Sequence, residues 1–171
     1  MEKQTGQEVT LSPAARRAGL LTAMREQADQ GTHCGSCCGV CCTFLANSMQ
    51  ITPLEAEDLR DWLIQEGRWT PELFDQLVAN VTRFRLDRDL GDGRRSLLRR
   101  TYTCPFHQPG PKGCTIAPTH KPYGCLAFNP RRPGLTEGGD CDSNTGLLEN
   151  LQAPSSPKAP IPVALLRLVD G

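Results

Sequence analysis

The sequence has few aromatic side chains, no net charge and no long apolar run. Aromatic residues make up 5% of the 171 residues, which predicts a modest hydrophobic core. Lys plus Arg and Asp plus Glu both total 19, so no overall charge attracts the chain to nucleic acid or to an anionic membrane. No stretch approaches the roughly 20 apolar residues of a membrane span. We therefore expect neither nucleic acid nor a membrane as a partner.

The sequence also lacks the local motifs of several protein classes. Its start does not show the basic and then apolar pattern of a signal peptide, so we expect a cytoplasmic protein that is not exported. No Gly-x-Gly-x-x-Gly fingerprint follows a strand, so a nucleotide-binding domain is not indicated. No site that could carry methyl transfer is evident and no carboxylate is spaced for a ribose, so an enzyme is not the leading hypothesis.

Cysteine, in contrast, is abundant and unevenly distributed. Five cysteines fall within nine positions, the first cysteine segment (residues 34–42), and four more are spread over the second cysteine segment (residues 104–141): Cys34, Cys37, Cys38, Cys41 and Cys42, then Cys104, Cys114, Cys125 and Cys141. The odd total and the expected reducing compartment argue against a disulfide framework. Buried apolar cysteines would be scattered rather than clustered. Metal ligation explains the clustering and the adjacent glycines, which permit tight turns, so all nine cysteines are candidate metal ligands.

Start signals predict three helices. Ser12 and Pro13 open a helix that runs to about Gln30, with an apolar stripe of Ala14, Ala18, Leu21 and Met24. Thr52 and Glu55 form a capping box for a second helix, which ends near Glu66 and has an inner face of Leu59, Trp62 and Leu63. A third helix begins at Pro71 and has an apolar face of Leu73, Phe74, Leu77, Val78, Val81 and Phe84. The short link between the last two predicts an antiparallel hairpin.

The remaining segments complete the predicted organisation. Residues 1–11 form a polar tail, residues 12–150 the cysteine-cluster metal-binding domain, and residues 151–171 a Pro-rich linker to Pro162 followed by an apolar end, Val163–Val169, that docks on the helices. A short strand is predicted over Leu97–Thr103. The second cysteine segment is irregular because of its seven prolines, and its cysteines would supply the constraint that burial does not. The predicted fold is mainly α and small, a helical hairpin with irregular, metal-stapled cysteine loops.

The stretch Arg83–Arg100 is locally basic. It contains seven arginines and three aspartates, a local excess of 7 − 3 = +4. Such a run is most often solvated surface. The alternative is a docking patch for an acidic protein partner or a phosphate-bearing ligand.

The spacing of the cysteines favours an iron–sulfur cluster over zinc. Only Cys34 with Cys37 and Cys38 with Cys41 have the C-x-x-C spacing, which departs from ordinary zinc ribbons. Neighbouring side chains point in different directions, so adjacent Cys41 and Cys42 should serve two centres or different irons of one cluster. The Cys104-Pro105 step also occurs in bacterial ferredoxins. A closed zinc site, the alternative, would be structural.

These cysteines and their neighbours resemble a known bacterial family. Three stretches carry the resemblance: Cys38-Gly39-Val40-Cys41-Cys42, Cys104-Pro105-Phe106, and Gly113-Cys114-Thr115-Ile116 through Lys121-Pro122-Tyr123-Gly124-Cys125. They look like the YkgJ-type cysteine-cluster proteins, which have a C-x-x-C-x-x-C-C signature and are regarded as zinc- or iron-chelating domains. A related domain is found in flagellin lysine methylases. The resemblance implies metal binding and covers roughly Cys34 to Cys141.

The sequence departs from this family at two places. The first segment has one cysteine too many, so either Cys37 or Cys38 is surplus, and we favour Cys38 as the family position because Gly39 follows it. Ala117 stands where the family commonly has an aromatic residue, which affects local packing rather than the ligands.

Other chemistries remain open. His33, His107 and His120 could be ligands, but ordinary structural hydrogen bonding is the better interpretation because the sulfurs already suffice. A thiol-based redox or methylation enzyme, with Cys34 and Cys37 as its exchange pair, is an alternative, although the thioredoxin-like βαβ pattern is lacking. A metal carrier that docks through the arginines is a further alternative. The leading hypothesis is a metal-binding protein for electron transfer, redox sensing or support of a partner enzyme.

Overall fold

The computed structural model describes residues 12–30, 39–88, 100–109, 113–130, 141–149 and 157–169. Within these residues the fold is mainly α, as predicted. The helices are α1 (Pro13–Asp29), α2 (Pro53–Gln65), α3 (Pro71–Phe84), α4 (Tyr123–Leu126), α5 (Thr145–Glu149) and α6 (Ile161–Leu166). The strands are β1 (Gln50–Ile51), β2 (Phe128–Pro130), β3 (Cys141–Ser143) and β4 (Ala159–Pro160). Strand β1 pairs with β4 and β2 pairs with β3, both antiparallel.

The three long helices begin where the sequence signals predicted. The Thr52 side chain accepts from the Glu55 N–H while the Glu55 carboxylate accepts from the Thr52 N–H, so the capping box is confirmed. Thr70 caps α3 in the same way from its side chain, and Ser12 accepts the Ala15 N–H at the start of α1. Local capping therefore decides where these helices start.

The main core lies between α2, α3 and α6. The Leu59, Trp62 and Leu63 face of α2 is buried, as predicted. Helices α2 and α3 make their principal contacts with α6 and not with each other, which differs from the predicted direct pairing of the hairpin. Leu165, with no exposed surface, belongs to this core. The C-terminal segment therefore docks on the helices, as predicted, and fills the space between them.

Helix α1 packs differently from its predicted stripe. Ala14 and Ala18 are exposed, whereas Leu20 is buried in a second apolar cluster with residues of α4. Arg17 is only 2% exposed and turns inward, because its guanidinium pairs with Asp58. The predicted stripe is wrong at the two alanines, since a paired arginine and a larger apolar side chain make the contact.

Two segment predictions also change. The strand predicted over Leu97–Thr103 is not formed at residues 100–103, where the backbone bonds instead to the loop before β1. The predicted linker to Pro162 ends earlier, because Ala159 and Pro160 pair with β1 and α6 begins at Ile161. Some residues named in the sequence analysis lie outside the described residues: the polar tail, His33, Cys34, Cys37, Cys38, Arg94, Arg95 and Arg99.

No helix in the described ranges is long and apolar enough to cross a membrane.

Candidate metal centre

Five cysteines from the two cysteine segments line one cavity of about 480 Å³, here called the cysteine cavity. They are Cys41, Cys42, Cys104, Cys114 and Cys125. Each is a free thiol. Apolar side chains, among them Met49, Ile116 and Ile161, complete much of the wall. The fold therefore gathers thiols from positions more than eighty residues apart, as the metal hypothesis requires.

The first cysteine segment reaches the cavity on a short turn of its own. Gly39 has a φ of 74°, in the left-handed region that favours glycine, and leads into a single 3₁₀ turn at Val40–Cys42. The Cys42 N–H donates to the Gly39 carbonyl at 2.8 Å. The Cys42 thiol, chiefly as a hydrogen-bond partner, raises the pKa of Cys41, and both cysteines line the cavity.

The two cysteine segments contact each other through the backbone. The Cys104 N–H donates to the Cys42 carbonyl at 2.8 Å. Gly113, with a φ of 46°, lies so close that a Cβ on it would stand 2.8 Å from the Gly39 Cα. Two glycines without side chains are needed here, because any larger residue would push the cysteine-bearing turns apart.

Within the second cysteine segment, a narrow turn brings Cys104 and Cys114 together. His107 and Cys114 form an isolated antiparallel bridge, and the Thr115 N–H donates to the Phe106 carbonyl at 2.9 Å. The His107 Nδ1 lies 2.9 Å from the Gly113 carbonyl oxygen. His107 thus has the structural role that the sequence favoured.

Side chains from the helices fix this turn from outside. Arg68, just after α2, donates to the Thr115 carbonyl at 3.0 Å and to the Thr115 Oγ1 at 2.8 Å. Its guanidinium also lies over the Trp62 ring, 5.2 Å from the centroid. His120 stacks on the same ring at 5.5 Å, which is again a structural contact.

The buried carboxylate of Glu55 positions the helix that carries Cys125. Its Oε2 completes the capping box of α2, while its Oε1 accepts the Tyr123 N–H at 2.9 Å, at the start of α4. The Arg17 Nε donates to the Lys121 carbonyl at 2.9 Å, two residues before Tyr123. Polar contacts from α1 and α2 therefore hold the approach to Cys125.

Burial disfavours the ionised form of two thiols in the second segment. It raises the pKa of Cys104 to about 12 and the pKa of Cys125 well above its ordinary value, and the neighbouring thiols add to both shifts. The hydrogen bond with Cys42, followed by burial, raises the pKa of Cys41. Thiolates in this cavity would need a cation among them, because apolar surroundings disfavour uncompensated negative charge.

The second cysteine segment is held by more than its cysteines, which corrects the sequence expectation. Phe106, Ile116 and Tyr123 are buried in it. The Tyr102 hydroxyl, just before it, donates to the Met49 carbonyl at 2.6 Å and accepts the Ile161 N–H at 3.1 Å. Burial and hydrogen bonds therefore hold the described part of this segment, beyond anything its cysteines contribute.

The structure leaves part of the predicted ligand set outside the cysteine cavity. Cys141 lies on β3, opposite Pro130, and is not among the residues that line the cavity. Cys34, Cys37 and Cys38 lie outside the described residues, so the choice between Cys37 and Cys38 stays open. Across the described ranges, no three or more Cys, His, Asp or Glu side chains form a group that could hold a metal ion as they stand.

Three supporting residues could not be recognised from a local sequence pattern. Arg17 lies within helix α1 and Arg68 in the short link after α2, both ordinary positions for arginine. The carbonyl groups to which they donate lie 104 and 47 residues away in the chain. Glu55 was recognised as a capping residue, but not as a partner of Tyr123, 68 residues away. Long-range contacts to backbone groups leave no local pattern in a sequence.

Comparisons with protein-family models, with curated proteins and with solved structures gave no match to this chain.

Proposed function

We propose that this protein binds an iron–sulfur cluster through its clustered cysteines and uses it for electron transfer, redox sensing or support of a partner enzyme. The observation that carries the proposal is the cysteine cavity, where five free thiols from two distant segments meet. Thiolates are the usual ligands of iron–sulfur clusters, and the fold's apolar wall would shield such a cluster from water. A cytoplasmic location would supply the reduced thiols that this chemistry needs.

The number of thiols is enough for either centre. A zinc ion and the common iron–sulfur clusters both take four cysteine ligands, and the cavity has five thiols without any contribution from Cys34, Cys37 or Cys38. The adjacent Cys41 and Cys42 both line the cavity and could supply one or two of the ligands. Zinc stays the alternative, and it would make the site a structural or interaction module with no redox role.

A carrier or electron-transfer protein needs a partner, and we propose that the Arg83–Arg100 stretch docks an acidic protein. Arg83 lies over the Phe84 ring at 5.3 Å, and Phe84 stacks on half-exposed Phe44 at 6.4 Å. Phe44 comes two residues after Cys42, so the basic stretch begins beside the first cysteine segment. Charge reversal at Arg83 and Arg88 should abolish cross-linking to such a partner; unchanged cross-linking would contradict this docking face.

Anaerobic purification tests the proposed cofactor directly. The visible absorption spectrum and the iron, sulfide and zinc contents are measured on the same sample. A brown protein with matching iron and sulfide is expected for a cluster. A colourless protein that holds zinc would favour the structural alternative, and a folded protein without any bound metal would contradict metal binding altogether.

Three single variants test which thiols are ligands. Cys104→Ser and Cys114→Ser should each lower the metal content, because both thiols line the cysteine cavity. Cys141→Ser is the matched control: it makes the same chemical change at a cysteine outside the cavity lining and should retain the metal. Circular dichroism confirms that each variant is folded. Equal metal content in all three variants would show that the cavity is not the metal site.

A further inference from the structure

Two lysines belong to the wall of the cysteine cavity. Lys121 and Lys158 line the cavity, and no Asp or Glu is among its lining residues in the ranges that the structure describes. The whole chain has equal numbers of acidic and basic residues, so this imbalance is local. A cavity with such a wall favours an occupant whose net charge is negative.

Hydrogen bonds to both backbone polar groups of Lys121 hold its main chain in place. Its carbonyl accepts from the Arg17 Nε at 2.9 Å, and its N–H donates to the Pro118 carbonyl at 3.4 Å. Buried Pro122 follows it. Its ammonium group forms no ion pair with another described residue. Lys121 therefore belongs to a constrained stretch of backbone, and no carboxylate of the described residues pairs with its charge.

Lys121 lines the same cavity as thiols from both cysteine segments, Cys41 and Cys42 from the first and Cys104, Cys114 and Cys125 from the second. One lysine therefore lies beside the thiols that would surround a single centre.

The proposed centre is itself an anion. Four thiolates outweigh the positive charge of an iron–sulfur core, and reduction by one electron adds a further negative charge. A nearby cation stabilises the reduced centre more than the oxidised one, because the attraction grows with the charge of the centre. The reduction potential of a cluster depends on such neighbouring charges.

We propose that Lys121 is the counter-charge of this anionic centre and that, as a positioning residue, it raises the reduction potential. This inference rests on the proposed iron–sulfur function. Lys121→Gln removes the charge, Lys121→Arg keeps it, and Arg167→Gln removes an equal charge from the exposed end of α6, away from the cavity lining. The three variants therefore separate a local charge from side-chain shape and from overall charge.

The test is a redox titration of the full chain, purified without oxygen and followed by its visible absorption. For Lys121→Gln, we expect the ratio of reduced to oxidised cluster at a fixed potential to fall by about tenfold, which is about 59 mV for one electron. Lys121→Arg and Arg167→Gln should titrate close to the wild type. Iron and sulfide contents and circular dichroism are measured on every sample.

The outcomes separate this inference from the proposed function. A wild-type protein without iron and sulfide contradicts the proposed function itself. A cluster that titrates identically in wild type and Lys121→Gln contradicts only the role of Lys121. Loss of the cluster from both Lys121→Gln and Lys121→Arg, with the fold intact, would also overturn it, because side-chain shape rather than charge would then be required.

Discussion

Between Gly39 and Thr43, the first cysteine segment is held by hydrogen bonds within its own turn, whereas the second is held by side chains that reach it from the helices. The first segment needs a glycine and a single 3₁₀ turn to present two thiols. The second presents Cys104, Cys114 and Cys125 over a span of 22 residues. Closely spaced ligands can thus be organised locally, while widely spaced ligands depend on the rest of the fold.

The largest effect is expected at Glu55, where the second segment depends on α2. Glu55→Ala leaves the Tyr123 and Thr52 N–H groups without their acceptor inside the protein, so the free energy of unfolding should fall by about 3 kcal/mol. Urea denaturation measures the change, and metal content should fall with it because α4 carries Cys125. Glu57→Ala, at an exposed position of the same helix, should change stability by under about 0.5 kcal/mol. Equal effects of the two variants would show that the Glu55 contact is not important.

A somewhat smaller effect is expected where the two segments touch. Gly113→Ala places a Cβ 2.8 Å from the Gly39 Cα at a positive φ, so stability should fall by about 2 kcal/mol. Metal content should fall as the turns separate. Gly19→Ala is the control, and it should increase stability rather than lower it. Gly19 lies in α1 with open space around it, so alanine should stabilise the helix by about 0.5 to 1 kcal/mol. If Gly113→Ala left both stability and metal content unchanged, the two turns would tolerate separation.

The smallest effect is expected at Arg68. Arg68→Ala removes two hydrogen bonds to Thr115 and the contact with the Trp62 ring, so unfolding free energy should fall by about 1.5 kcal/mol. Arg60→Ala removes only a surface pair with the adjacent Asp61 and should cost under about 0.5 kcal/mol. Thermal or urea unfolding of both variants measures the difference. Similar losses would contradict a specific role for Arg68 in holding the second segment.

Helix positions could be predicted from the sequence because their signals are local. The capping box at Thr52, the proline at the start of α3 and the apolar spacing of α2 all act within one or two turns. The packing of α2 and α3 could not be predicted in the same way. Helix α6 lies more than seventy residues from α3 along the chain, and only the folded chain brings it between the two helices.

The candidate site was predicted in its composition but not in its arrangement. Clustered cysteines identified the residue types and the two segments, and five of the nine cysteines line one cavity. The sequence did not indicate that Cys141 would lie outside the cavity lining. Side-chain direction in irregular turns depends on backbone angles that no periodic pattern encodes.

The sequence by itself determined where the helices begin and which residues could provide thiols, because capping and residue chemistry act over a few neighbouring positions. The tertiary structure alone decided that Cys42 and Cys104 share a backbone hydrogen bond, that Lys121 lines the cavity and that Glu55 holds the start of α4. These contacts join residues far apart in the chain. They form only when burial of the apolar core brings the distant segments together.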